Sequence, residues 1–400
     1  MTYHDHRANR GLHPIFLPLF FMLLTRVMGC SESTETKNIA LVDSKATSET
    51  YALFENLNEL RTSKVLFGHQ DDLAYGVNWA YVYGNSDVKE VSGSYPAVYG
   101  WDLGHIELDS TKNLDKVPFD SIRSYMQQAY RRGGINTISW HLNNPYNGNS
   151  SWDTTHTIQH LLPGGQAHST FNSYLDRLAK FLDSVRDDQN RPIPIIFRPW
   201  HEHTGHWFWW SAKFSKGDEY QQLWRYTVTY LRDQKNLHHL LYAYSPSNTN
   251  IDKMWDSYPG DEWVDIIGFD DYFGYHNQPD SLRDSAKQND LKGFAERITM
   301  IVNEAEKRGK IPAITETGLE ALRDSTWFTS FLLNALTTSE TNKRMAYVLV
   351  WRNANNETDR KEHFYAPYKG HASANDFIQF TKDPLILLES GLPNMYQRKN

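Results

Sequence analysis

The sequence predicts an α/β fold, a single (β/α)8 TIM barrel, on three observations. Eight short β-rich runs alternate with longer amphipathic patterns from about residue 45 onward, the order that gives a parallel sheet with helices packed outside it. Polar and aromatic residues gather at the C-terminal ends of nearly all eight runs, and in a barrel those ends converge on one face. The main rival is a doubly wound open sheet. Its first strand should lead into a glycine-rich phosphate turn, yet this chain reads Leu66-Phe67-Gly68-His69-Gln70 there.

In order, the expected strands are Lys64–His69, Ala97–Asp102, Thr137–His141, Ile193–Arg198, Leu240–Ser245, Asp265–Asp270, Ile311–Glu316 and Ala346–Trp351. Most are runs of β-formers ending in a polar or aromatic residue. Between them, Ile122, Tyr125, Met126 and Ala129 recur at helical spacing before a Gly133-Gly134 stop. Phe171, Tyr174, Leu175, Leu178, Leu182 and Val185 do the same over a longer stretch. Further helices are expected at Glu219–Asp233, Gly293–Lys307 and Thr326–Leu336. The segments Asn143–Gly165 and Tyr272–Asp284 read as long loops able to shape a cleft.

The start of the chain carries an address. Arg7 and Arg10 precede an apolar run from Ile15 to Leu24, followed by Val27-Met28-Gly29-Cys30. Ten apolar residues are too few to span a bilayer but suit a secretory h-region. Cys30 is the only cysteine, which excludes an internal disulfide framework and a cysteine-based metal or nucleophile site. It stands where a bacterial lipoprotein signal places its lipidated cysteine. Residues 1–29 are therefore expected to be a lipoprotein-type signal and 30–45 a flexible tether. Residues 46–400 would form one catalytic domain, attached to the outer membrane only through a lipid on Cys30. The plainer alternative is a cleaved signal followed by a free cysteine, and Arg26 and Met28 are unusual for the lipoprotein pattern. The membrane face stays open, and a monomer is expected.

Composition narrows the function further. The chain is 40% hydrophobic and 22% charged with a net charge of −7; it has no basic run, which argues against a nucleic-acid partner. Read together, the strand ends are His69-Gln70, Trp101-Asp102, Trp140-His141, Trp200-His201-Glu202, Ser245, Asp270-Asp271-Tyr272, Glu316 and Trp351-Arg352. Glu202 and Glu316 follow the fourth strand and end the seventh, on one barrel face. Either alone is more often a solvated or salt-bridged residue. Together in an aromatic mouth they form the carboxylate pair that glycoside hydrolysis requires. Arg198 is placed to hold a nearby carboxylate ionised, and His201 to hydrogen-bond a sugar or the nucleophile. Trp207 and Trp351 suit sugar platforms, each with a flat apolar face and a polar N–H. Trp209 and Trp210 divide evenly between that role and packing.

His201, His203 and His206 raise a metal reading. They lack the His-Glu-x-x-His spacing of a helical zinc site, and a guanidinium at Arg352 is a poor neighbour for a metal cation. No cofactor or metal is therefore expected.

The segments Phe67-Gly-His-Gln70, Val98-Tyr-Gly-Trp-Asp102, Ser139-Trp-His141, Phe197-Arg-Pro-Trp-His-Glu202, Ile267-Gly-Phe-Asp-Asp-Tyr272, Ala313-Ile-Thr-Glu-Thr-Gly318 and Val350-Trp-Arg352 resemble glycoside hydrolase family 26, best known for β-1,4-mannanases. The resemblance runs from about residue 64 to 352. It implies that Glu202 is the acid/base and Glu316 the nucleophile of a retaining enzyme acting on β-mannan. Tyr272 matches a tyrosine that bonds the nucleophile, Trp351 the platform under the reacting sugar and Trp207 an aromatic beside the cleavage point. Asp270, His141 and Arg352 match substrate-binding positions. His69 and Asp102 join the mouth as weaker candidates. The same mechanism on mixed-linkage β-glucan or β-1,3-xylan stays open, and so does a surface lipoprotein that binds glycan without chemistry.

Overall fold

A computed structural model describes residues 41–354 and 362–398 of the chain, and every structural statement below concerns those residues. The expected signal, Cys30 and most of the tether lie outside them.

Eight parallel strands form the sheet: β1 (Val65–Gln70), β2 (Val98–Asp102), β3 (Ile135–Ser139), β4 (Ile195–Arg198), β5 (Leu240–Tyr244), β6 (Ile266–Phe273), β7 (Ile311–Leu319) and β8 (Tyr347–Val350). Each pairs with the next, and β8 returns to β1 with Leu66 opposite Tyr347 and His69 opposite Val350. The sheet therefore closes into the expected barrel. A short strand, Ile386–Leu387, adds parallel to the start of β1. The main helices are α1 (Ser48–Leu60), α2 (Phe119–Arg131), α3 (His168–Ser184), α4 (Glu219–Thr229), α5 (Asp280–Arg308) and α6 (Ala374–Lys382).

Strand residues point alternately to the two faces of a sheet, and the packing follows that parity. Leu66, Val98, Ile196, Leu241, Ala243, Ile266, Ala313, Tyr347 and Leu349 share one apolar cluster. Their neighbours Phe67, Tyr99, Phe197, Tyr242, Ile267, Ile314 and Val348 belong to a larger one with the helices. The first set fills the barrel. Leu53, Phe54 and Leu57 of α1 join it with Met395 and Tyr396, so α1 and the C-terminal tail plug the bottom. Continuing the inward parity upward gives Asp102, Ser139, Arg198, Ser245 and Asp270. The strand ends thus supply the mouth by alternation alone.

One irregularity matters for the site. Between β6 and β7 the register shifts: Phe269 pairs with Ile314, but Asp270 pairs with Glu316. Thr315 is the extra residue. Such a bulge lets consecutive side chains serve the same side, so Thr315 and Glu316 both reach the mouth.

Two expectations change. The Tyr272–Asp284 segment is not a long loop, because β6 runs to Phe273 and α5 begins at Asp280. Residues 281–290 of α5 are largely exposed and carry no apolar stripe, so helical spacing became visible only near Phe294. The expected helix over Thr326–Leu336 forms as a π-helical stretch, Phe328–Leu333, running into Asn334–Thr337.

Candidate active site

The mouth is organised around a buried guanidinium. Arg198, 2% exposed, donates from Nη1 to Asp270 Oδ2 at 2.8 Å and to Ser245 Oγ at 3.3 Å. Its Nη2 donates to Glu316 Oε1. Burial opposes the charge on Arg198, but Asp270 and Glu316 outweigh it and raise its pKa above the ordinary value. The other oxygen of Asp270 accepts from Ser245 and from the bulge residue Thr315, both at 2.7 Å. Both oxygens of Asp270 are thus engaged inside the barrel, beneath the cleft. Asp270, expected among the substrate contacts, holds the arginine that holds Glu316.

The second oxygen of Glu316 accepts from the Tyr272 hydroxyl at 2.9 Å. Tyr365 packs edge-on against Tyr272, with ring centroids 5.7 Å apart. That approach depends on Gly318, whose φ is 156° and where a Cβ would stand 2.3 Å from the Tyr365 ring. Burial and the charge of Glu316 keep the tyrosine pKa well above its usual range, so it remains a donor.

Glu202 arrives by a different route. After β4 the backbone takes left-handed turns at Trp200 (φ 53°) and Glu202 (φ 54°), conformations that cost of order 1–3 kcal/mol each outside glycine. The turn is fixed by the Glu202 N–H donating to the Ser245 carbonyl at 2.6 Å, and by Trp210 Nε1 donating to the His201 carbonyl at 2.8 Å. It carries the carboxyl inward, where Trp207 Nε1 donates to Glu202 Oε2 at 2.8 Å. One oxygen each of Glu202, Asp270 and Glu316 lie within 4.8 Å of one another. Burial, and then the negative charge of Glu316, push the Glu202 pKa up to about 7. The Trp207 bond and the charges of His141 and Arg198 limit the rise.

These three carboxylates are the one grouping among the described residues that could ligate a metal. Two of them already share a cation, Arg198. The three histidines behind the alternative metal reading diverge. His203 is buried, bonded to the Tyr244 hydroxyl at 2.9 Å and stacked on Tyr220; burial drops its pKa to about 3. His206 is exposed.

His201 joins a polar chain. Its Nε2 lies 3.1 Å from His141 Nε2, and His141 Nδ1 lies 2.7 Å from Asp102 Oδ2. One proton fits between two ring nitrogens, so both rings cannot be charged at once. Burial opposes charge on His141, but Asp102, Glu316 and Glu202 outweigh it and raise its pKa above the usual imidazole value. Burial and the charges of His141 and Arg198 hold His201 well below it. Asp102 thus favours the charged form of His141 over that of His201.

The rest of the mouth is aromatic. Trp351 is partly exposed and sits 6.3 Å from the His141 ring. Arg352 pairs with Asp115 at 3.2 Å. Trp209 and Trp210 are fully buried; the indole Nε1 of Trp209 donates to the Leu142 carbonyl at 3.2 Å, so both tryptophans serve packing. His69 does not join the mouth. It shares strand parity with Phe67, on the helix-facing side, and bonds Asp72 at 2.7 Å.

Two contributors escaped the sequence reading. Trp152 is 53% exposed and lies nearly parallel to the His141 ring, 5.7 Å away. Its segment, Asn143–Gly165, is pinned: Asn144 Nδ2 donates to Asp153 at 2.6 Å and to Thr157 at 2.7 Å, and Ser151 accepts from the Trp209 N–H at 3.1 Å. Glu107 is fully buried and accepts from the Asn143 N–H at 2.8 Å and Trp140 Nε1 at 3.1 Å. The loop length was the only signal for Trp152, and Glu107 had none.

Comparison with known proteins agrees with this geometry. The profile described as glycosyl hydrolase family 26 matches residues 42–366. The structure of a β-mannanase from Bacteroides ovatus is 40% identical, covers 88% of this chain and 98% of its own, and superposes with a TM-score of 0.81. An endo-β-1,4-mannanase from Cellulomonas fimi is 36% identical over 90% of this chain and 80% of its own, with a TM-score of 0.78. A mannan endo-1,4-β-mannosidase from Bifidobacterium adolescentis is 36% identical over 369 residues, 88% of this chain, but the chain spans only 36% of that relative's length. On the family match across the barrel, and with the paired glutamates at its mouth, the chain belongs to glycosyl hydrolase family 26.

Proposed function

We propose that this protein is a retaining β-mannanase that hydrolyses β-1,4-mannosidic bonds in mannans, galactomannans or manno-oligosaccharides. The observation that carries the proposal is the Glu202–Glu316 pair. The two carboxylates approach within 4.8 Å, in keeping with the close spacing of about 5–5.5 Å used for double displacement. Their surroundings differ as the two roles require. Glu202, with its pKa near 7, holds a proton to give near neutral pH. Glu316 has both oxygens oriented by donors, Arg198 and Tyr272.

In the first step the Glu202 proton passes to the glycosidic oxygen as that C–O bond breaks. A Glu316 oxygen forms a bond to the anomeric carbon. Glu316 then carries no charge, and the repulsion that raised the Glu202 pKa disappears. Glu202 is left as a stronger acid, ionised, and takes a proton from the incoming water. Water bonds to the anomeric carbon and Glu316 departs as carboxylate. Trp207 holds Glu202 in line through both steps, and Trp351 and Trp152 offer flat faces to the sugars.

The sugar assignment rests on relatives named as mannan endo-1,4-β-mannosidases and β-mannanases. Its test is the product profile on linear mannan, galactomannan, lichenan and β-1,3-xylan. Mannose oligomers alone would support it, with product length separating endo from exo action. Turnover of lichenan or β-1,3-xylan alone would overturn the substrate while leaving the two glutamates in their roles.

The signal pattern ending at Cys30 supports a second proposal: the protein is exported and held at the outer membrane by a lipid on that cysteine. Cys30→Ser should move it from the membrane fraction to the soluble one. Unchanged fractionation would remove the anchor.

A further inference from the structure

Seven large apolar side chains are conspicuously exposed, and three are consecutive: Tyr81 at 39%, Val82 at 49% and Tyr83 at 85%. They follow a two-stranded hairpin, Tyr75–Gly76 with Trp79–Ala80. This segment is firmly held. The Tyr81 N–H donates to the Ala74 carbonyl at 2.8 Å, and Trp79 Nε1 donates to Asp87 at 2.7 Å. Tyr95 donates to the Gly84 carbonyl at 2.7 Å, and the Tyr81 hydroxyl donates to the Lys116 carbonyl at 3.0 Å. Tyr81 also has a φ of 57°, an unfavourable conformation for an aromatic residue. Water-facing rings on a fixed and strained support are not explained by packing. An outlier of this kind is a reason to look for function.

The rings border a groove of about 330 Å³ against α2. Ser121, Ser124, Tyr125 and Gln128 of α2 also line it. Tyr125 is backed by Trp101 in a near-parallel stack at 5.9 Å. Asp120, also at the groove, is paired with Arg123 at 2.6 Å. The lining is thus aromatic faces beside hydroxyls and an amide. That combination suits an uncharged, hydroxyl-rich ligand with apolar C–H faces rather than an anionic polymer or a charged peptide. The groove lies on the barrel flank, and Tyr81 is tied to Lys116, the neighbour of the Asp115 that pairs with Arg352 at the mouth.

We propose that Tyr81, Tyr83 and the α2 face form a secondary site that binds a stretch of β-mannan chain outside the catalytic cleft. This deepens the mannanase reading and rests on it. Such a site raises the local concentration of polymer at the mouth and has no purchase on substrates short enough to sit wholly in the cleft.

The test uses two backgrounds. In catalytically inert Glu316→Ala protein, Tyr83→Ala and Tyr81→Ala should each weaken retention on insoluble mannan, by about fivefold to tenfold for the loss of one stacked ring. In active protein, the same changes should slow hydrolysis of insoluble mannan at low loading by a similar factor. Mannopentaose turnover should stay unchanged, which also reports correct folding. Equal retention and equal polymer turnover in parent and variants would overturn the site while leaving the mannanase reading intact. A parent that neither cleaves nor is retained by mannan would overturn both.

Discussion

Glu202 and Glu316 are the same chemical group, and their neighbours make them different. Glu316 faces two donors, whereas Glu202 faces one N–H, burial and a negative charge. The general acid must be protonated, so kcat/KM should fall on the alkaline side as Glu202 loses its proton near pH 7. Trp207→Phe removes the bond that favours the Glu202 carboxylate, and Asp102→Asn removes the carboxylate that favours the charged form of His141 beside it. Each change should raise the Glu202 pKa and move the alkaline limb upward. A limb that stays put or moves down in the pH–rate profile would refute this assignment. Arg198 is the structural counterpart. Arg198→Met leaves Asp270 and Glu316 buried without the cation they share, and urea unfolding should show a loss of about 3–5 kcal/mol. A smaller change, with activity retained, would remove Arg198 from its central place.

At the scale of elements, the strands were legible because their cues are local. A run of β-formers ending in a polar residue marks both the strand and its C-terminal end, and all eight fall within about two residues of expectation at most ends. Parity along each strand then decides which side chains reach the mouth, which is why Asp102 belongs there and His69 does not. The bulge at Thr315 has no comparable local mark; it exists only in the pairing of β6 with β7. The first half of α5 was invisible because its exposed residues show no apolar period. Glu107 was missed because its partners Trp140 and Asn143 stand more than thirty residues away, and Trp152 because its place depends on how its loop is pinned. The Asn143–Gly165 segment, expected as a long loop able to shape the cleft, is pinned by its own hydrogen bonds. Asn144→Ala should release it, raising KM for oligosaccharides with a smaller change in kcat, and hydrogen exchange should quicken over residues 143–157. Unaltered exchange would mean that the segment is held elsewhere.

At the scale of the molecule, the two described ends of the chain both fasten to the bottom of the barrel, away from the mouth. The Val42 N–H donates to Asp265 at 2.8 Å, Arg232 reaches the Val42 carbonyl at 2.9 Å, and Asp43 pairs with His238 at 2.7 Å. At the other end, Asn56 Nδ2 donates to the carbonyls of Met395 at 3.0 Å and Gln397 at 2.9 Å. Because this clasp is remote from the chemistry, Asn56→Ala should lower stability by about 1–3 kcal/mol, the cost of leaving buried carbonyls unpaired, while kcat/KM stays unchanged. A drop in kcat/KM at full folding would show that the two faces are coupled.

The central claim is double displacement through Glu316, and the anomeric configuration of the first product tests it most directly. Hydrolysis of a β-manno-oligosaccharide followed by proton NMR should show the β-anomer appearing first, with the α-anomer rising later by mutarotation. Initial release of the α-anomer would mean a single displacement by water, and Glu316 could not be the nucleophile.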